Sequence, residues 1–158
     1  MKKALFLWGA SLLLAAGSSS CSTNEQVIFD DAFVYLADAN GASASTIDWD
    51  SQNYLGTYYV YLVTPALDGD VQVTYDLVVG NGLTEGVDFK TVASTASPIT
   101  FTKGIYTMPI RIEWLKHELD ATKDNTVRIV LRSCSNPSVQ IGRPGPDHLG
   151  SEYTITKR

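Results

Sequence analysis

From Val71 to Val79 the chain alternates apolar and polar side chains, with Val71, Val73, Tyr75, Leu77 and Val79 on one parity and Gln72, Thr74 and Asp76 on the other. Side chains along a strand point to opposite faces in turn, so this period of two predicts a strand with one face in a core. The same signature recurs. Tyr106, Met108, Ile110, Ile112 and Trp114 alternate with Thr107, Pro109, Arg111 and Glu113. Val127, Ile129 and Leu131 alternate with Arg128, Val130 and Arg132, and Tyr153 and Ile155 with Thr154 and Thr156. Pro109 has no N–H to give to a ladder, which places its strand at an edge or at a local irregularity. Thr57 to Thr64 is a run of Tyr, Val and Leu with high strand propensity.

Punctuation between these runs supports short strands joined by turns. Pro65 to Gly69, Gly80-Asn81-Gly82, Lys103-Gly104 and Asp124-Asn125 are turn signals. Ile99 to Phe101 is a shorter strand, and Val27 to Leu36 gives one or two opening strands interrupted by Asp30-Asp31. Asn40 to Tyr54 reads as a loop or a loose edge strand. Trp114 to Leu119 has a weak helical pattern and is read as a strand end followed by a turn-like crossover. About seven strands without a long helical period argue for an all-β fold, an antiparallel β-sandwich. Tyr75, Leu77, Ile110, Ile112, Ile129, Leu131 and Ile155 are expected to share its core.

Composition excludes several function classes. With 17 acidic against 12 basic residues and a net charge of −5, the chain lacks the basic face that nucleic acid requires. Two cysteines and two histidines leave little for a zinc site or a disulfide scaffold.

The N-terminus is built as an export leader. Lys2 and Lys3 precede an apolar run from Ala4 to Ala16, and Gly17-Ser18-Ser19-Ser20 supplies small residues before Cys21. The run is shorter than the ~20 residues a membrane-spanning helix needs. A Cys directly after small residues resembles a bacterial lipoprotein signal, in which that Cys is acylated, with palmitate among the usual chains, and becomes the first mature residue. Ser18 stands where such signals carry Leu, and the competing reading is an ordinary cleaved signal with an incidental Cys. The expected organisation is a leader over 1–20, a lipidated tether over 21–26 and one sandwich domain over 27–158. Lipidation of Cys21 leaves Cys134 as a lone thiol, and no His stands in sequence near it as the base of a catalytic Cys.

The strand order Val71–Val79, then Gly86-Val87-Asp88-Phe89, Ile99-Thr100-Phe101, Gly104, Ile110–Ile112, Val127–Leu131 and Tyr153-Thr154-Ile155 resembles the Calx-beta type of immunoglobulin-like sandwich. That family shows a Gly-x-Asp-aromatic turn and then a hydrophobic-x-Phe-x-x-Gly strand end. The likeness runs from about Val27 to Ile155. Joined to the leader, it is similar to sandwich domains of Bacteroidetes-type surface lipoproteins of unassigned function, some of which accompany polysaccharide uptake. Calcium-binding members of the family carry an Asp/Glu cluster after the strand matching Tyr106–Glu113. Here Trp114 and Leu115 take that place. Glu113, Glu118, Asp120 and Asp124 remain as oxygen donors, among Lys116 and Lys123, whereas calcium wants six to eight. A solvated acidic turn is the preferred reading, and no metal or other cofactor is expected. Asp88 is expected to accept backbone N–H bonds in the turn before Phe89.

No catalytic motif is present: no Gly-x-Ser-x-Gly, His-Glu-x-x-His, P-loop or Gly-x-Gly-x-x-Gly. The chain is therefore read as a non-enzyme. Two segments invite a binding role. Ser135 to Gly150 is a long loop with Pro137, Pro144 and Pro146, in which Arg143, Asp147 and His148 add hydrogen-bonding capacity. Its alternative is a stiff connection between the two sheets. Trp49, Tyr54, Tyr59 and Tyr61 are expected near one another on an outer face, as a platform for sugar rings, with Tyr58, Val60 and Leu62 facing the core. The alternative is that these residues are simply good strand formers. The function expected is a lipid-anchored, non-catalytic binding or accessory module at the outer membrane, with a glycan or a surface protein as partner. The cell surface is favoured slightly over the periplasmic face. A purely structural or adhesive module is the competing reading.

Overall fold

The computed structural model describes residues 31–50, 53–67 and 69–158. The leader, Cys21, the tether and the first residues of the expected opening strand lie outside the described residues. Among the described residues there are ten strands: β1 (Ala32–Ala37), β2 (Ala44–Ile47), β3 (Tyr54–Val63), β4 (Val71–Val79), β5 (Phe89–Thr91), β6 (Ile99–Phe101), β7 (Thr107–Trp114), β8 (Thr126–Cys134), β9 (Val139–Ile141) and β10 (Glu152–Lys157). They form two five-stranded sheets, in the orders β5-β7-β3-β1-β9 and β2-β10-β8-β4-β6. The fold is a β-sandwich of two facing sheets.

The alternating residues meet between the sheets. Val34, Leu36, Tyr58, Val60, Leu62, Ile110, Ile112 and Trp114 pack from the first sheet against Val73, Tyr75, Val127, Ile129, Leu131, Tyr153 and Ile155 from the second. Leu77 is partly buried against the same cluster. Trp114 Nε1 donates to the Tyr58 hydroxyl at 3.1 Å, so both polar tips are satisfied in the interior. Gly56 makes room for this pair, because a Cβ there would lie 2.6 Å from the Tyr58 hydroxyl.

Two strands exceed the expectation, β5 and β9, while β2 is the loose edge strand that was one reading of Asn40 to Tyr54; all three are short and at sheet edges. β2 and β9 also depart from a purely antiparallel sandwich, since β2 runs parallel to β10 and β9 parallel to β1. β9 lies within the segment read as the long loop Ser135 to Gly150. Pro109 is paired opposite Tyr59, in a strand between two others, yet its far side is open. β5 ends level with Ile112, and the Arg111 N–H and carbonyl both point outward, to Thr95 Oγ1 and from the Val92 N–H. Pro109, two residues earlier, shares that orientation, so its missing donor faces a locally unpaired edge.

The two ends of the sandwich differ. Phe33, at the start of β1, pairs with Val63 at one end, and Tyr54 pairs with Trp114 at the other. β3 spans its 10 residues between them, about 30 Å at the rise of an extended strand.

Candidate functional site

The aromatic residues singled out in the sequence separate in space. Tyr59 and Tyr61 face outward from β3, as their parity requires, with ring centroids 6.0 Å apart. Tyr61 stacks on Tyr35 at 5.1 Å with an interplanar angle of 18°, and the Arg143 guanidinium carbon lies 4.4 Å over the Tyr35 ring. Arg143 therefore joins this face through a cation–π contact. The result is a row of Arg143, Tyr35, Tyr61 and Tyr59, in which Tyr35 meets both the guanidinium and the stacked Tyr61 ring, while Tyr59 lies tilted by 46° against Tyr61. His148 hydrogen-bonds through Nδ1 to Gln140 Nε2 at 2.9 Å, tying the Gly145–Gly150 turn to β9.

Tyr54 and Trp49 are not part of that row, which corrects the single-platform expectation. Tyr54 starts β3 on the parity of Tyr58, at the Trp114 end of the sandwich. Trp49 follows β2, its N–H donating to the Arg158 carbonyl at 2.8 Å while the Arg158 N–H donates to Ile47. This carries the β2–β10 pairing past its last strand residues, and the partner of Trp49 is the second sheet. The physical reason is β2 itself: it places residues before β3 on the opposite sheet.

Trp49 lines a cavity of about 460 Å³ at this end of the molecule. Leu119 and Ala121 from the crossover, Lys123, Asp124 and Asn125 from the turn before β8, and Thr126, Thr156, Lys157 and Arg158 complete it. Trp49 is 38% exposed. Trp49, Leu119 and Ala121 form the apolar part of a lining that is otherwise polar and charged. Asp124 Oδ1 accepts from the Thr126 N–H and hydroxyl, and the Asn125 side-chain amide donates to the Asp120 carbonyl. These bonds hold the turn that forms the wall.

Beneath the cavity lies a buried ion pair. Lys157 and Asp88 are 1% and 2% exposed. Lys157 Nζ donates to Asp88 Oδ1 at 3.1 Å, to the Asp88 carbonyl at 3.2 Å and to the Leu115 carbonyl at 2.8 Å. The Thr84 N–H donates to Asp88 Oδ2, and His117 Nδ1 lies 3.0 Å from Oδ1. Burial alone would raise the Asp88 carboxyl; the Thr84 N–H, Lys157 and His117 together hold it below its ordinary value. The N–H bond expected at Asp88 is present, but the ammonium partner was missed. Its signal is parity: Lys157 continues the Tyr153, Ile155 face of β10 and so points inward.

The four acids left as possible calcium donors do not converge. Glu113 lies in β7 opposite Leu55 and Lys90. Asp120 Oδ1 accepts from the Thr122 N–H and hydroxyl, which hold its carboxyl low. Among the described residues no group of three or more His, Cys, Asp or Glu is placed to hold a metal ion, and the oxygens around Asp88 and Leu115 already surround an ammonium. These residues do not fit a calcium site. Burial pushes the Cys134 thiol up, which keeps it protonated at neutral pH and a poor nucleophile.

No known family pattern and no curated protein matches the chain. Solved structures do. The apo form of the Calx CBD1 domain is similar with a TM-score of 0.55 and 16% identity, over 80% of this chain and 96% of that one. A two-domain protein of unknown function from Bacteroides fragilis NCTC 9343 is similar with a TM-score of 0.51 and 15% identity, over 82% of this chain. The match spans 46% of that protein's length. At these identities the likeness is one of fold.

Proposed function

We propose that this protein is a non-catalytic saccharide-binding module, anchored by acylated Cys21 to the outer membrane and displayed at the cell surface. The observation that carries the reading is the Trp49 cavity, where a partly exposed tryptophan stands beside Thr126 and Thr156. A pyranose ring presents an apolar C–H face and a rim of hydroxyls, which match an aromatic surface bordered by hydrogen-bonding groups. The arrangement of the ends favours an anchored module. β1 begins at the end away from the cavity, so a lipid upstream of β1 leaves the cavity about 30 Å farther from the membrane than the start of β1 when the domain stands upright. Stable attachment needs more than one acyl chain, which bacterial lipoprotein processing provides.

A glycan array tests the reading. The wild-type protein gives saturable binding, Trp49→Ala loses it, and Tyr59→Ala keeps it, because Tyr59 lies on the outer face of the first sheet and does not line the cavity. Loss on Tyr59→Ala with retention on Trp49→Ala would move the site to the outer face of the first sheet. A silent array would overturn saccharide binding and leave the structural or adhesive reading.

A further inference from the structure

We propose that the turn between β6 and β7 is a second membrane contact, with Ile105 and Tyr106 set into the headgroup region of the bilayer that holds the lipid of Cys21. This rests on the anchored reading above and adds what holds the domain upright. A lipid fixes one point of the chain to a membrane and leaves the direction of the domain free. A second contact at the same end fixes that direction as well.

Strand register places the turn. Phe33, at the start of β1, pairs with Val63, and the Leu62 N–H donates to the Tyr106 carbonyl at 2.9 Å. Tyr106 therefore lies at the end of the sandwich where β1 begins. It is two strands across the sheet from β1, about 10 Å at the usual strand spacing. The chain from Cys21 to Ala32 spans at most about 40 Å when extended, so the lipid and the turn can reach one surface together.

The two side chains have no place in the core. Tyr106 continues the inward parity of Met108, Ile110 and Ile112, yet it is 40% exposed because it stands at the mouth of the sandwich. Ile105 beside it is 44% exposed. The turn is shaped to present them: the Ile105 N–H donates to the Thr102 carbonyl at 2.9 Å, and Gly104 takes a φ of 86°, which other residues rarely adopt. An aliphatic side chain next to a tyrosine suits the membrane interface, where a ring can sit among acyl chains with its hydroxyl in water. Asp31 and Asp70 are exposed at the same end as Lys103, since Val71 pairs with Phe101. Attraction to anionic lipid therefore does not drive the contact; burial of the two apolar side chains does. Trp49, Tyr54 and Leu55 are exposed at the opposite end, and an inverted domain would bring them to the lipid instead.

The test uses the mature protein recovered from cell membranes and reconstituted in phosphatidylcholine vesicles whose acyl chains are brominated. Bromine quenches an indole that enters the bilayer. Tyr106→Trp puts an indole on the turn, and that indole loses most of its emission on the vesicles, in low and high salt alike. In the wild-type protein Trp49 and Trp114 keep theirs. An unchanged thermal midpoint shows that Tyr106→Trp is folded. A protein that floats with the vesicles while Tyr106→Trp stays unquenched overturns this inference and leaves the anchor standing. Quenching of Trp49 places another part of the domain on the lipid and overturns the assignment. Quenching at the turn that high salt abolishes makes the contact electrostatic and overturns it too. A protein that neither fractionates with membranes nor floats with vesicles overturns the anchor and this inference together.

Discussion

Replacing Lys157 by Met removes the ammonium while keeping the length of the side chain. Three acceptors then lose the ammonium donor: Asp88 Oδ1 and the Asp88 carbonyl, on a residue 2% exposed, and the carbonyl of the half-buried Leu115. Thr84 and His117 still support the carboxylate, but no positive charge is buried with it. Breaking a buried pair from one side costs about 3–5 kcal/mol. Asp88→Asn does comparable damage from the other side, since it strands the ammonium. In the double variant both charges are gone, and the loss is smaller than the sum of the single losses by about 2 kcal/mol. Equilibrium urea unfolding of the four proteins at neutral pH measures this cycle. A loss below about 1 kcal/mol for Lys157→Met, or single losses that simply add, would show that the pair is not what joins β10 to the turn before β5 and the crossover after β7.

Ile129→Ala, at a fully buried position, costs about 2–5 kcal/mol in the same assay, whereas Val130→Ala on the outward parity costs much less. Because the folded Asp88 carboxyl is held below its ordinary value of 3.8, its contribution is present above that pH and lost as the pH falls through the folded value; thermal midpoints decline below about pH 4, and Asp88→Asn flattens that decline. Burial raises the phenols of Tyr58, Tyr75 and Tyr153 above 10.0, so their contribution is intact below about pH 10 and is lost as alkali forces them to ionise. Cys21→Ala releases the protein from the membrane fraction into the soluble one; a variant that still pellets refutes the anchor. Protease added to intact cells digests the domain if it is surface-exposed and spares it if it faces the periplasm.

The long strands were legible because period two states both the element and its buried face: β4, β7, β8 and β10 all follow from alternation. β2, with the sequence Ala-Ser-Thr-Ile, has neither the length nor the apolar face to announce itself, and its parallel pairing with β10 is a tertiary event. The candidate site depends on that pairing. Trp49 and Tyr59 are close in sequence and look like one platform, yet β2 and β3 belong to different sheets. Tyr35 went unnoticed as the partner of Tyr61 because cross-strand register, not local pattern, brings the two rings together. Lys157 had a readable signal in its parity, which a charged residue at the end of a strand conceals.

The central claim is that the Trp49 cavity holds a saccharide without transforming it. Indole resonances of the isotope-labelled protein test it directly during titration with an array-positive oligosaccharide. The Trp49 indole N–H and the Thr156 and Arg158 amides shift saturably, the row of Tyr35, Tyr59 and Tyr61 stays unmoved, and the sugar is recovered intact. Shifts confined to the row, no shift at Trp49, or a cleaved sugar would each contradict the account.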